Sequence, residues 1–197
     1  MDALIAYHEP GVEGSESLLA PLAARLYSMG FDVKLAPLGE AVEACRRVGA
    51  RRVYLLMFAR GGHWASLRDA CGVEPRVVPV WVSGGAIAEA AGVYGSRVVL
   101  LYRRARRLNE LYSADIVRLA AHLEGVGFRV YTVESSMAGR FDAPRVDVVV
   151  PLSLLPGRLV EKAAEAARLY GGAPLPAFVF YGLDALASWL AWELLEA

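Results

Sequence analysis

Two of the three histidines stand at the ends of apolar runs, where chemistry in a strand-and-helix protein is usually placed. His8 directly follows Leu4–Tyr7, and His63 ends the segment MFARGGH that follows Val53–Phe58. Neutral imidazoles bind borderline divalent ions such as cobalt, nickel, iron and zinc, and they accept protons near neutral pH. Two histidines without a nearby Cys or Asp make an incomplete structural zinc site. They suit an ion held briefly with open positions. Glu9, beside His8, is a candidate third ligand or proton acceptor, whereas Glu13 and Glu16 read as acids at a helix start. The run Arg103-Arg104-Ala105-Arg106-Arg107 concentrates four guanidinium groups, which form bidentate pairs with carboxylates. Arg103 and Arg104 are therefore candidates for holding a polycarboxylate, with solvation or pairing to Glu110 and Asp115 as the alternative. Arg60 is a similar candidate. Trp64 has the shape to stack on a flat ring or simply to pack. His122, within RLAAHLEG, reads as a partly exposed helical residue.

The elements that must position these groups are written twice. LIAYHEPG, SESLLAPLAARLYSMG and FDVKLAPL in the first half find echoes in RVVLLYRRAR, SADIVRLAAHLEGVG and FRVYTVES in the second. Gly30-Phe31-Asp32-Val33 and Gly127-Phe128-Arg129-Val130 lie 97 residues apart, RRVYLLMFARGGHW is echoed by VDVVVPLSLLPGRLV, and VVPVWVSGGAIAEAA by PLPAFVFYGLDALAS. Four landmarks in one order at a nearly constant offset describe two copies of one unit, residues 1–95 and 96–197. Each copy reads strand, helix, strand, helix, strand, loop, strand, helix. The second lacks a helix where Glu134 to Arg145 replaces GEAVEACRRV. Continuous apolar strands such as Leu4–Tyr7, Val53–Phe58, Val98–Tyr102 and Val148–Leu152 imply parallel sheets covered on both faces. Gly30 and Gly127 fit left-handed helix C-caps. The expected fold is α/β, two Rossmann-like parallel-sheet subdomains facing across a cleft. In a 2-1-3 strand order, His8 and His63 face each other beyond the strand ends.

Other classes find little support. The chain has 197 residues, 21 basic against 21 acidic, so it has no field for non-specific nucleic-acid binding. Its 56% hydrophobic content excludes disorder. The first ten residues lack the basic start of a secretory leader, and the apolar tail Phe178–Leu195 carries Asp184 and Glu193 and breaks at Gly182. A buried strand and helix is therefore expected there rather than a membrane span. Cys45 and Cys71 are too few and too far apart for a disulfide framework or a metal motif, and read as small buried residues in a reducing cytoplasm. Gly84-Gly85 could open a helix onto an anion, but without the other glycines of a dinucleotide fingerprint. No Walker A sequence or nucleophile elbow occurs.

The residues around the two histidines resemble the small class II chelatases of sirohydrochlorin. That family carries a His after the first strand and a second in a Gly-x-His after an apolar strand, with a Gly-Ala-Arg-Arg-Val-like segment between them. Here these positions read Tyr7-His8-Glu9-Pro10, Met57-Phe58-Ala59-Arg60-Gly61-Gly62-His63 and Val48-Gly49-Ala50-Arg51-Arg52-Val53. The resemblance implies insertion of cobalt, nickel or iron into sirohydrochlorin, as in cobalamin or sirohaem synthesis. It also implies that His8 and His63 bind the metal and help deprotonate the pyrrole nitrogens. It calls for no cofactor beyond the substrate metal and no membrane or nucleic-acid partner, and it is compatible with a monomer or a homodimer. Two departures stand out: His-Gly-Ser is His-Glu-Pro here, and the second copy has Arg103 for His8 and Arg158 or Leu159 for His63. A non-catalytic carrier of metal or tetrapyrrole on the same fold is the alternative, followed by an unrelated activity on an α/β scaffold.

Overall fold

Leu4 and Ala6 turn one way from their strand while Ala3, Ile5 and Tyr7 turn the other, and all five are buried. A strand covered on both faces needs helices on both, and the computed structural model supplies them. It describes residues 3–8, 12–48, 50, 52–142 and 145–196. The first sheet has the order β2-β1-β3-β4, built from β1 (Ala3–Tyr7), β2 (Val33–Pro37), β3 (Val53–Leu55) and β4 (Arg76–Val77). The second has the order β6-β5-β7-β8, from β5 (Arg97–Tyr102), β6 (Arg129–Glu134), β7 (Val148–Pro151) and β8 (Ala173–Pro174). Every pairing is parallel.

The helices are α1 (Ala20–Ser28), α2 (Leu38–Val48), α3 (Gly62–Cys71), α4 (Val80–Gly92), α5 (Asn109–Gly125), α6 (Arg158–Tyr170) and α7 (Val179–Leu195). The outer face of the first sheet packs on α2 and α3 through Leu4, Ala6, Val53, Leu55, Ala41, Ala44 and Leu67. The outer face of the second packs on α6 through Val99, Leu101, Val149, Ala163 and Ala166. The inner faces share one core with α1, α4, α5 and α7, joining Ile5 and Tyr54 to Leu100, Val150, Ile87 and Trp189. The halves are therefore joined by a common core, and the expected cleft lies beside it, where Arg107 of the second half faces the pocket of the first.

The last helix of each half crosses to the other. Helix α4 lies against α5, where His122 sits so close to Gly84 that an added Cβ there would be 2.3 Å from its Cδ2. Helix α7 returns to the first half. Trp189 is 1% exposed and meets Tyr54 edge-on at 5.6 Å, Arg52 donates to the Leu194 carbonyl, and Arg25 pairs with Asp184. Truncating a tryptophan buried this deeply costs about 3–5 kcal/mol.

Gly30 and Gly127 take positive φ (89° and 100°), as their capping positions require. Several expectations need correction. VVPVWVS is not a strand leading into Gly84-Gly85. The strand stops at Val77 and α4 begins at Val80, so both glycines lie inside the helix, past its open N-terminal N–H groups. Phe178–Phe180 likewise belongs to the start of α7, not to a strand. Each run puts residues into the shared core (Val82; Phe178 and Val179) and one aromatic into solvent (Trp81; Phe180), and short apolar runs do not separate strand from helix. The segment after Gly61 is helix α3 rather than loop. Cys45 and Cys71 are joined in a disulfide tying α2 to α3, their Cα atoms 4.7 Å apart. The 26 residues between them made the pair look remote, but the fold lays the two helices side by side. No helix among the described residues is long and apolar enough to cross a membrane.

Candidate metal-binding site

β1 and β3 are neighbours in register, Ala6 opposite Leu55. The segments that leave their C-terminal ends therefore start from one place. His8 comes directly after Tyr7, and His63 occupies the first turn of α3, which starts behind Gly61. The two imidazole rings meet edge-on, their centroids 4.7 Å apart and their planes at 74°. A metal–nitrogen bond of about 2.1 Å puts two imidazoles on one tetrahedral ion with centroids roughly 5 Å apart. The observed centroid separation is close to that value, and the rings meet edge to face. His8 is exposed and His63 half-buried. Glu9, the expected helper of His8, lies outside the described residues, as do Gly49 and Arg51 of the related motif. Among the described residues no three His, Cys, Asp or Glu side chains converge as a metal cluster.

The histidines open onto a pocket of about 670 Å³. One wall is the strip Leu38, Gly39, Val42, Glu43 and Arg46 of α2, and another is Ser66, Asp69 and Ala70 of α3; Arg107 reaches in from the second half. Apart from Arg107 and the histidines, these residues were missed from sequence. The signal was present as i, i+4 spacing at Leu38, Val42 and Arg46, and it reads as an ordinary amphipathic helix until the sheet is assembled. Glu43 and Arg46 pair with each other at 2.9 Å, exposed to solvent.

The four arginines of the β5–α5 loop are all exposed, and none makes an ion pair among the described residues. Of these, Arg107 lines the pocket; Arg103 and Arg104 do not. Two other expectations are corrected. The Arg60 guanidinium, expected to bind a substrate carboxylate, is already engaged by Asp115, through Nε at 3.0 Å and Nη2 at 2.7 Å. Burial raises the Asp115 carboxyl, but the hydrogen bonds and charge of Arg60 outweigh it and hold it below the usual carboxylate range. Trp64, expected to stack on a ring, is 6% exposed within the outer core, and its Nε1 donates to the Pro75 carbonyl at 2.8 Å. It packs and leaves no face for a ligand. Burial also pushes the Tyr112 phenol, across the loop from Gly61, up to about 12, so it remains protonated.

The second half carries no equivalent centre among its described residues. Arg103 follows Tyr102 as His8 follows Tyr7, and Gly61 and Gly157 cap α3 and α6 alike, which puts Leu159 opposite His63. Leu159 is 8% exposed in the outer core. Between β6 and β7 the described residues form only a short 3-10 turn, Ala138–Arg140, so the wall that α2 provides has no counterpart.

Two solved structures share this architecture over nearly the whole chain. The sirohydrochlorin chelatase SirB from Bacillus subtilis subspecies spizizenii, determined in complex with cobalt, matches with a TM-score of 0.65 at 15% identity, covering 98% of this chain and 94% of that one. CbiX, the terminal enzyme for biosynthesis of siroheme in denitrifying bacteria, matches with a TM-score of 0.59 at 20% identity, covering 97% and 99%. No family model matches the sequence, and no curated protein matches it either. The resemblance read from the two histidine motifs thus holds at the level of architecture, and the chain has the fold of the class II sirohydrochlorin chelatases.

Proposed function

We propose that this protein inserts a divalent metal ion (cobalt, nickel or iron) into sirohydrochlorin or a close tetrapyrrole relative. The observation that carries the reading is the His8–His63 pair, 4.7 Å apart at the mouth of a pocket, on a fold shared with chelatases. In this reading the ion rides on the two imidazoles as substrate and needs no further cofactor. Each of two pyrrolic N–H groups gives up a proton as the ion enters. The protons pass to the imidazoles as they release the metal, or to Glu9. Arg107, within the pocket, and Arg103 and Arg104, on the same loop, hold peripheral carboxylates of the macrocycle as charge-assisted pairs. Because His8, His63 and Arg107 come from one chain, a monomer suffices. The reaction belongs in the cytoplasm. The Cys45–Cys71 bond counts against a reducing compartment, since disulfides are rare in cytosolic proteins outside hyperthermophiles.

The test is an anaerobic absorbance time course with sirohydrochlorin and Co²⁺, Ni²⁺ or Fe²⁺, comparing wild type with His8→Ala and His63→Ala. Protein-dependent metallation lost in both variants supports the proposal. A spectral shift on binding with metallation at the uncatalysed rate makes the protein a carrier. No spectral change with any metal overturns both readings.

A further inference from the structure

On its N-terminal side His63 is separated from Arg60 by two glycines, and α3 starts without a capping side chain. Glycines have the widest backbone freedom of any residue, so Gly61-Gly62 alone cannot fix the direction in which His63 leaves the sheet. Beyond His63, α3 is held by its own half through Trp64, Leu67 and the Cys45–Cys71 bond; before it, the restraint comes from the other half of the molecule. The Arg60 backbone N–H donates to Asp115 Oδ2 at 2.9 Å, Arg60 Nε donates to the same oxygen at 3.0 Å, and Nη2 donates to Oδ1 at 2.7 Å. A single carboxylate thus fixes both the main chain and the side chain of one residue. Asp115 is only 8% exposed and is steadied by Arg118, whose Nη1 lies 3.3 Å from Oδ1. Beyond Arg60, Gly61 is pressed against Tyr112 and Ala105, with room for a Cβ only at 3.2 and 3.4 Å, and Ala59 is sealed behind at 1% exposure.

We propose that Asp115, from the second half, is a positioning residue for His63: by clamping Arg60 it holds the segment leading into α3 where the two imidazoles face each other. The second half has Arg103 and Leu159 at the positions matching His8 and His63, and on this account its helix α5 instead helps to place His63. The proposal rests on the metal-binding reading of the His pair. A control is built into the molecule. Arg97 and Asp147 repeat the same three bonds, the backbone N–H at 2.9 Å, Nε at 3.2 Å and Nη2 at 2.6 Å, between the starts of β5 and β7 and outside the pocket lining.

The experiment measures Co²⁺ binding by calorimetry and the NOE between the His8 and His63 ring protons, in wild type, Asp115→Asn and Asp147→Asn. Loss of a partner that orients a metal ligand lowers affinity by about 10–100-fold. Asp115→Asn is therefore expected to weaken Co²⁺ binding at least about ten-fold and to diminish the NOE, with Asp147→Asn leaving both within about two-fold of wild type. Asp115→Asn that binds Co²⁺ as wild type does, with the NOE intact, overturns the proposal. So does equal weakening by both variants, because that is the signature of general destabilisation. If wild type itself binds no Co²⁺, the metal reading has failed and the NOE alone decides whether Asp115 places His63. Should Asp115→Asn not fold, Arg60→Gln, which keeps the backbone bond, is subjected to the same two measurements.

Discussion

Gly61 and Gly62 are adjacent, yet alanine should have opposite effects at the two positions. Gly61 has φ −140° and ψ −152°, an extended conformation open to any residue, so its substitution carries no backbone penalty. The limit is space. A methyl group at Gly61 would stand 3.2 Å from Tyr112 Cδ2 and 3.4 Å from the Ala105 Cβ, so α5 and the β5–α5 loop would have to give by a few tenths of an ångström. Overpacking of this kind costs about 1–3 kcal/mol, and the narrowed unfolded ensemble returns about 0.4–1 kcal/mol. The net expectation is a destabilisation of about 1–2 kcal/mol. At Gly62 a methyl would meet only the Arg107 Cβ at 3.6 Å, an ordinary contact, on the first turn of α3. Helix propensity there favours alanine by up to about 1 kcal/mol. The two variants should then differ by about 2–3 kcal/mol. In a chain of this size that is roughly 4–12 °C in Tm, read by circular dichroism or scanning calorimetry. In the Gly61→Ala background, Tyr112→Leu should recover part of the loss. Equal Tm values for the two alanine variants, or no relief from Tyr112→Leu, would refute the account of how the second half grips the His63 segment.

Other expectations rest on the same contacts. Asp115 and Asp147 (the latter held down to about 2 by Arg97) both titrate below an unfolded aspartate's value near 3.9. Their contribution to stability is full above about pH 4 and lost as pH falls through the folded values, so Asp147→Asn should flatten the acid limb of a denaturant-midpoint profile. Trp64→Phe removes a buried bond to the Pro75 carbonyl and should cost about 1–3 kcal/mol in denaturant unfolding while leaving turnover per folded molecule unchanged; a raised KM at unchanged stability would restore the stacking role. Reducing Cys45–Cys71, or replacing both residues by Ser, opens a loop set by a sequence separation of 26 and should cost about 3 kcal/mol in the same assay, with no loss pointing to a bond that constrains nothing.

Much of this architecture is legible in the sequence because it depends on local pattern. The glycines at 30 and 127 have to leave a helix in left-handed conformation, and strands such as Leu4–Tyr7 are apolar on both faces because two layers bury them. Strand order then comes from connectivity, and with it the meeting of His8 and His63. What the sequence hides depends on distant parts of the chain. Trp64 and Arg60 sit beside His63 and look available, but their partners, Pro75 and Asp115, appear only when α3 is docked and the halves are joined. The apolar starts of α4 and α7 read as strands because a short apolar run does not separate strand from helix, and each also carries an apolar side chain on the solvent side, Trp81 and Phe180. Cys45 and Cys71 are 26 residues apart along the chain but adjacent across two packed helices.

The asymmetry between the halves is a matter of scaffolding as much as of ligands, and this can be tested by putting histidines back. Arg103→His with Leu159→His would restore imidazoles at the positions matching His8 and His63. If two histidines at neighbouring strand ends were enough, the variant would bind a second Co²⁺ per chain. The surroundings argue otherwise. Leu159 is 8% exposed and packs among Val99, Leu101, Val149 and Ala163, so an imidazole there gives up apolar contacts and sits where its nitrogens have no water. Burying such a polar group without a partner costs about 1–3 kcal/mol. The first-half pocket is also walled by Leu38, Val42 and Arg46 of α2, and only the Ala138–Arg140 turn is formed among the described residues between β6 and β7. The double variant should therefore unfold earlier and still bind one Co²⁺ per chain by calorimetry. Two ions bound with similar affinity would mean that α2 is dispensable and that strand-end histidines alone define the site.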